Sequence, residues 1–366
     1  LHHHELFYEM CKNSGVHVQI INFSMLGKKC AITQEHENFD IVEDLEKLES
    51  KNRDFGELQK YLKTSNLLGN LVDKLIKPGK TREELFKSTI EYFLNSDSKN
   101  AETHYTYYGR TKSKVLFYYI FDKIRTKNRE SFINKNLKTD LSLPENFIFF
   151  PLHAEIERTL LITAPFYMNQ IEAIKVIAKS IPINYKLVVK EHPFQAARAW
   201  RSVSDYKKIM DIPNVILVHP NFSNEELYKN CSLLVTIAGT GGFEATFYGK
   251  PVITFVNLNY SILPSVTTLT NFHELPTLIR KSLEKKVNSS DLDRFLSLLE
   301  KNSSEFNYAD FAAKFDTEFF YGGRLVDAEI SEVKMKSFLE KNSSILNDLA
   351  DEHISKMNWF KDKRTS

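Results

Sequence analysis

Short apolar strands alternating with helices constrain this chain more than any other feature. The pattern begins at Phe147-Ile-Phe-Phe150 and continues with helical spacing from Tyr167 to Lys179. Tyr185-Lys-Leu-Val-Val-Lys190 follows, then a helix near 203–210 and the strand Asn214-Val-Ile-Leu-Val218. A short helix from Asn221 to Asn230, with Ser223 as its cap, leads to Ser232-Leu-Leu-Val-Thr-Ile237. A helix at 241–248 and a strand at 251–255 complete the run. Strands spaced by helices predict an α/β domain whose parallel sheet is covered on both faces. Ligands of such sheets bind beyond the carboxyl ends of the strands. The polar loops after Lys190 and after Ile237 are therefore expected to face one crevice.

The rest of the chain is more helical. At 366 residues it is long enough for about two domains. Residues 1–145 are expected to form a helix-rich first domain, truncated at its start because a helix (Glu5 to Asn13) precedes its one clear strand, Val16 to Asn22. Short helices are expected near 40–50 and 54–64, and another from Asn66 to Ile76. Thr81-Arg-Glu-Glu84 reads as a capping box opening a helix to Leu94. Ser113 to Ile124 reads as a helix whose aromatic residues Phe117, Tyr118, Tyr119 and Phe121 belong to a core. The basic stretch 125–145 reads as a solvated linker, with a basic surface for anionic lipid or an anionic acceptor as the sharper alternative. Residues 146–290 form the second domain, and 291–366 a helical tail placed to cross back to the first.

Composition excludes several classes. Lysine and arginine number 49 against 47 acidic residues, so the net charge of +2 makes no case for a nucleic-acid partner. Cys11, Cys30 and Cys231 have neither metal-ligand spacing nor a paired framework, which suits a reducing compartment. No apolar run has the length of a transmembrane helix and no signal peptide is visible. A cytoplasmic protein is expected, with peripheral contact at the membrane as an option. His2-His-His4 is a poor metal site, because adjacent helical residues point in different directions.

The crevice residues suggest anion chemistry. Gly239-Thr240-Gly241-Gly242 joins a strand to a helix, where backbone amides can approach a phosphate. Its spacing matches neither a P-loop nor a dinucleotide fingerprint. Lys190 and His192 end the neighbouring strand and would add a charge and an imidazole donor; each could equally be a surface or turn residue. Glu244, on the first turn after the glycines, is expected to be ionised and to accept from ribose hydroxyls, or else to cap its helix. His153, Glu155 and Glu157 follow the first strand and could supply acid, base or nucleophile, although an extended stretch would turn only one carboxylate inward. Gln170 would offer an amide at the same rim. No metal cluster and no cofactor motif is seen, so Lys190, His192 and backbone amides would meet the charge on a leaving phosphate.

Four motifs in order carry a resemblance. Phe150-Pro-Leu-His153…Glu157, Pro165…Asn169-Gln170, Val189-Lys-Glu-His-Pro193 and Gly239-Thr-Gly-Gly-Phe-Glu-Ala245…Gly249-Lys-Pro-Val252 together resemble the capsule polysaccharide biosynthesis family, which includes bacterial Kdo transferases, over about residues 146–265. Ile156 stands where related sequences often carry proline, and the first domain has no clear acidic-Gly-Tyr motif. The resemblance implies a GT-B glycosyltransferase, with two Rossmann-like domains whose parallel sheets face a central cleft. It implies a nucleotide-sugar donor, CMP-Kdo-like, a glycan or glycolipid acceptor, and no metal. By the same likeness His192 would contact the donor phosphate, Glu244 the ribose, and Glu157 would serve in catalysis. A sugar-nucleotide epimerase, a polyol-phosphate transferase and a non-catalytic sugar-nucleotide-binding partner are the alternatives.

Overall fold

The computed structural model describes residues 2–27, 29–36, 39–40, 44–65, 112–137, 142–155, 158–198, 200–321 and 330–365, with single positions at 83, 86, 87, 90 and 139. The expected helix at 66–76 and the capping box at Thr81 lie outside the described residues, as do Ile156 and Glu157. The chain divides into two compact units. One comprises 1–18, 37–64 and 123–301, and the other 19–36, 65–122 and 302–366.

The first unit is built on six parallel strands: β3 (Phe147–Pro151), β4 (Lys186–Lys190), β5 (Val215–Val218), β6 (Leu233–Thr236), β7 (Val252–Thr254) and β8 (Val266–Thr268). Their order across the sheet is β5-β4-β3-β6-β7-β8. Phe147 to Phe150, Leu187 to Val189 and Leu233 to Val235 are all buried, because helices cover both faces. This is the expected α/β architecture. Between the strands run α4 (Gln170–Ser180), α5 (Val203–Met210), α6 (Asn224–Asn230) and α7 (Gly241–Thr246). Asn169, Ser202 and Ser223 cap the first three, each accepting a backbone N–H of the first turn. β8 and the helix α8 (Leu275–Leu283) were not foreseen. β8 has only three residues, and α8 starts with proline at its second position rather than with a polar cap.

Three earlier elements differ from expectation. Among the described residues of 40–50 there is a tight turn at Leu45–Lys47. The helix expected at 113–124 continues as α3 (Lys112–Asn136), so residues 125–136 are not a linker. No glycine or proline interrupts that stretch, and Arg129, Ile133 and Leu137 recur at helical spacing. Arg129 donates to the Trp200 carbonyl at 2.8 Å, while Ile133 and Leu137 are buried. The aromatic residues expected in a core instead face outward, Phe117 being 66% exposed. Val115 to Phe121 is apolar without interruption, so periodicity could not select a buried face.

In the second unit, β1 (Ile20–Phe23) and β2 (Cys30–Thr33) form an antiparallel ribbon, shorter at its start than the strand expected from Val16. Cys30 and Ser304 exchange backbone hydrogen bonds of 3.1 and 2.7 Å. Three helices follow: α10 (Tyr308–Phe319), α11 (Glu332–Lys341) and α12 (Ser343–Thr365). Phe338 packs among Phe311, Phe315 and Phe319, with ring centroids 5.1–5.8 Å apart. Gln19 donates to the His353 carbonyl at 3.3 Å, tying α12 to the start of the ribbon. No helix of the described residues is long and apolar enough to cross a membrane.

Candidate functional site

The strand order reverses between β3 and β6. Chain leaving β3 goes on to β4 on one side, and chain leaving β6 goes on to β7 on the other. Loops diverge at such a point and leave a crevice at the carboxyl edge. The loop after β3 carries His153 and Glu155; the loop after β6 carries Gly239 to Gly242.

These two loops are joined through an imidazole. His153 is buried, and its Nε2 accepts from the Ala238 N–H at 3.3 Å, with the Thr236 hydroxyl also 3.3 Å away. Nδ1 then carries the ring proton and remains a donor. Burial, reinforced by the charges of His192 and Arg201, lowers the His153 pKa to about 3. His153 is thus neutral at physiological pH, its ring fixed between the two loops. Gly239 is glycine because a Cβ there would lie 2.8 Å from Thr236 Oγ1 and 3.1 Å from His153 Cε1. Thr240 is exposed, and the helix α7 starts at Gly241, where the first amides have no intrahelical acceptor.

A second corner lies toward β4 and β5. Lys190 is buried, and its ammonium donates to the Phe222 carbonyl at 2.6 Å and to Asn224 Oδ1. Burial lowers its pKa to about 8, against the pull of the Glu244 charge. Lys190 is therefore anchored on the segment from Phe222 to Asn224, with the Glu244 charge nearby. Burial raises the Glu244 pKa to about 7, while a hydrogen bond from Tyr228 and the Lys190 charge oppose the rise. The fully ionised Glu244 expected from sequence is replaced by a carboxyl that titrates near neutrality.

That shift has a stability consequence. Folded Glu244 keeps its proton up to about pH 7, against an ordinary value of 4.5. Over that window the folded state holds more protons than the unfolded one, so stability falls as pH rises and levels off above it. Between pH 5 and pH 8, urea unfolding is expected to show the wild type losing about 2–3 kcal/mol more than Glu244→Gln. Equal losses would mean that the carboxyl titrates normally.

Beneath both loops lies a buried network. Glu191 is fully buried and accepts from Arg201 Nε at 2.7 Å, from the Tyr206 hydroxyl at 2.8 Å and from the His192 N–H at 2.8 Å. Arg201, also buried, donates to Glu155 and to the His153 carbonyl. Burial pushes the Glu191 carboxyl up, and Arg201, Tyr206 and the His192 amide pull against it. Glu155 is thus paired with Arg201, and its N–H donates to Gln195 Oε1 at 2.9 Å. Gln170 is buried too. It accepts from the His153 N–H at 2.7 Å and donates to the His153 carbonyl at 3.1 Å, so its amide is spent on the loop and not offered at the rim. His192 accepts the Phe194 N–H at Nδ1, 3.1 Å away, which leaves Nε2 as its donor. Glu157 lies outside the described residues.

Sequence reasoning missed Arg201, Tyr206, Tyr228 and Tyr260, whose hydroxyl donates to the Gly239 carbonyl at 2.5 Å. The one local signal was Glu191 itself, a carboxylate between an apolar strand and His-Pro.

Residues 78–303, more than half of the chain, match the family described as capsule polysaccharide biosynthesis protein, extending beyond the motifs at both ends. No curated protein sequence matches the chain. Among solved structures, KpsC β-Kdo 2,7 transferase of Thermosulfurimonas dismutans shares 17% identity at TM-score 0.31, over 50% of this chain and 56% of that one. UDP-GlcNAc 2-epimerase of Methanocaldococcus jannaschii shares 19% at TM-score 0.33, over 49% and 51%. The chain thus spans about half the length of these structures, and TM-scores this low carry no functional argument.

Proposed function

Because the chain belongs to the capsule polysaccharide biosynthesis protein family, we propose that it is a glycosyltransferase of surface polysaccharide synthesis. It takes a sugar from a nucleotide donor, CMP-Kdo-like by family, and passes it to a glycan or glycolipid acceptor without a metal. One observation carries the reading: the glycine loop, the neutral donor His153 and the Lys190–Glu244 corner meet where the strand order reverses.

The roles follow from charge. The amide of Gly241, with the His153 Nδ1–H and the His192 Nε2–H, meets the donor phosphate, while the Gly242 N–H closes the loop onto the Gly239 carbonyl at 3.2 Å. Glu244 accepts from the ribose hydroxyls, and binding favours its ionised form. The catalytic carboxylate is assigned, by the family resemblance, to Glu157, four residues after His153 in the sequence. Donor and acceptor identity stay with the family-level reading.

A thermal-shift screen of CMP, UDP, GDP and CDP tests this on the wild type, His192→Ala and Glu244→Ala. A nucleotide at 100 times its dissociation constant stabilises by about 2.7 kcal/mol, or roughly 5–10 °C. A CMP-selective rise, lost in both variants, is expected. A rise with UDP or GDP keeps the donor site and removes the Kdo donor. No rise with any of them leaves no support for a nucleotide site at this edge.

A further inference from the structure

The loop after β3 does not end at the catalytic candidates. It continues through one π-helical turn at Thr159–Thr163 to a tight turn at Pro165–Tyr167, just before α4. Phe166 on that turn is 80% exposed. Its ring stands edge-to-face on Tyr167, with centroids 5.2 Å apart, and lies 6.3 Å from Phe272. Tyr167 packs on Phe255 at 5.0 Å and on Phe272 at 5.5 Å, and Phe272 meets Phe255 edge-on at 5.6 Å. The exposed ring therefore rests on two others, Tyr167 and Phe272, and Phe255 packs against both of those.

The position of this group matters more than its hydrophobicity. Phe255 directly follows β7, and its N–H donates to the Thr236 and Ile237 carbonyls at 3.1 and 3.0 Å, where the chain enters the glycine loop. Phe272 follows β8. The aromatic group thus stands at the carboxyl edge on the β7–β8 side of Gly239–Gly242. The acceptor for ribose hydroxyls, Glu244, faces the opposite side, toward Lys190 at the end of β4 and Tyr228 of α6.

A nucleotide sugar has its phosphate in the middle. With the phosphate at the glycine loop and the nucleoside directed to Glu244, the glycosyl group must leave toward β7 and β8. We propose that Phe166, backed by Tyr167 and Phe272, is the platform for the transferred sugar, taking the apolar C–H face of its ring. The inference rests on the donor-site reading given above. It assigns the sugar subsite to an aromatic surface, while polar groups at the glycine loop and Glu244 hold the nucleotide.

The test compares Phe166→Ala and Phe166→Tyr with wild type by calorimetric titration. The probes are matched pairs: UDP with UDP-glucose and UDP-N-acetylglucosamine, GDP with GDP-mannose, and CMP with CMP-N-acetylneuraminate. Phe166 is exposed, so the alanine variant keeps the fold. It is expected to bind each free nucleotide like wild type and at least one nucleotide sugar about five- to tenfold more weakly, with tyrosine restoring the affinity. Equal weakening of nucleotide and nucleotide sugar would place a base on the ring and overturn the proposal. So would a panel in which no nucleotide sugar weakens while free nucleotides still bind; the donor-site reading would survive that result. A wild type that binds no nucleotide overturns both.

Discussion

Arg201→Met is expected to cost about 3–5 kcal/mol, the penalty for leaving one partner of a buried ion pair uncompensated. An ionised Glu191 would be left fully buried with only the Tyr206 hydroxyl and the His192 N–H to hold it, and burial already pushes its carboxyl up. The His153 carbonyl and the Glu155 carboxylate would lose a donor in the same step. In a domain of this size the change corresponds to a fall of roughly 6–20 °C in the melting temperature. Pairing the substitution with Glu191→Gln removes the stranded charge, so the double variant should recover much of the loss. Thermal unfolding of the single and double variants measures both. A double variant as unstable as Arg201→Met would mean that packing around the guanidinium, and not charge, sets the cost.

Gly242→Ala is expected to strike the glycine loop hardest. A Cβ there would lie 2.5 Å from the Tyr260 hydroxyl oxygen and 3.1 Å from Val252 Cγ1. Tyr260 is almost fully buried and cannot swing into solvent. It must shift within the core, which costs about 1–3 kcal/mol. It must also loosen its bond to the Gly239 carbonyl, which costs about 0.5–1.5 kcal/mol more because that carbonyl keeps the Gly242 N–H at 3.2 Å. The peptide units that would cradle a phosphate move with it, so nucleotide affinity should drop by at least about tenfold. Tyr260→Phe removes the clashing oxygen, and the two changes together should cost less than the sum of the single ones. Strict additivity in unfolding experiments would mean that the two residues do not share the contact.

The sheet was legible because its signal is local. Strands β3 to β7 are apolar runs bounded by turn residues, and α4, α5 and α6 each have their own cap, as Ser223 shows. The glycine loop was legible for the same reason. What stayed hidden depends on partners far away in sequence. Arg201 reads as an ordinary charged residue before a helix; only folding brings it to Glu191 and His153. Lys190 and Gln170 lie near this edge, but a side chain's neighbours decide whether it meets a ligand or the loop beneath it. Glu244 illustrates the limit for titration: spacing placed it on the first turn of α7, and only burial beside Tyr228 moves its pKa. The continuation of α3 beyond Ile124 was missed because the face that anchors it begins only at Arg129.

The reversal in strand order also bears on how the sheet is assembled. β6, β7 and β8 join across short connections, as do β3, β4 and β5, but Ile148 must find Leu233 across the longest sequence separation in the sheet. Closing that distance carries the largest chain-entropy cost of any strand pairing here. The sheet is thus two locally built halves with one expensive seam, and the crevice sits at the top of that seam. Whatever binds across it clasps the halves together, so occupancy slows their parting as well as filling the site.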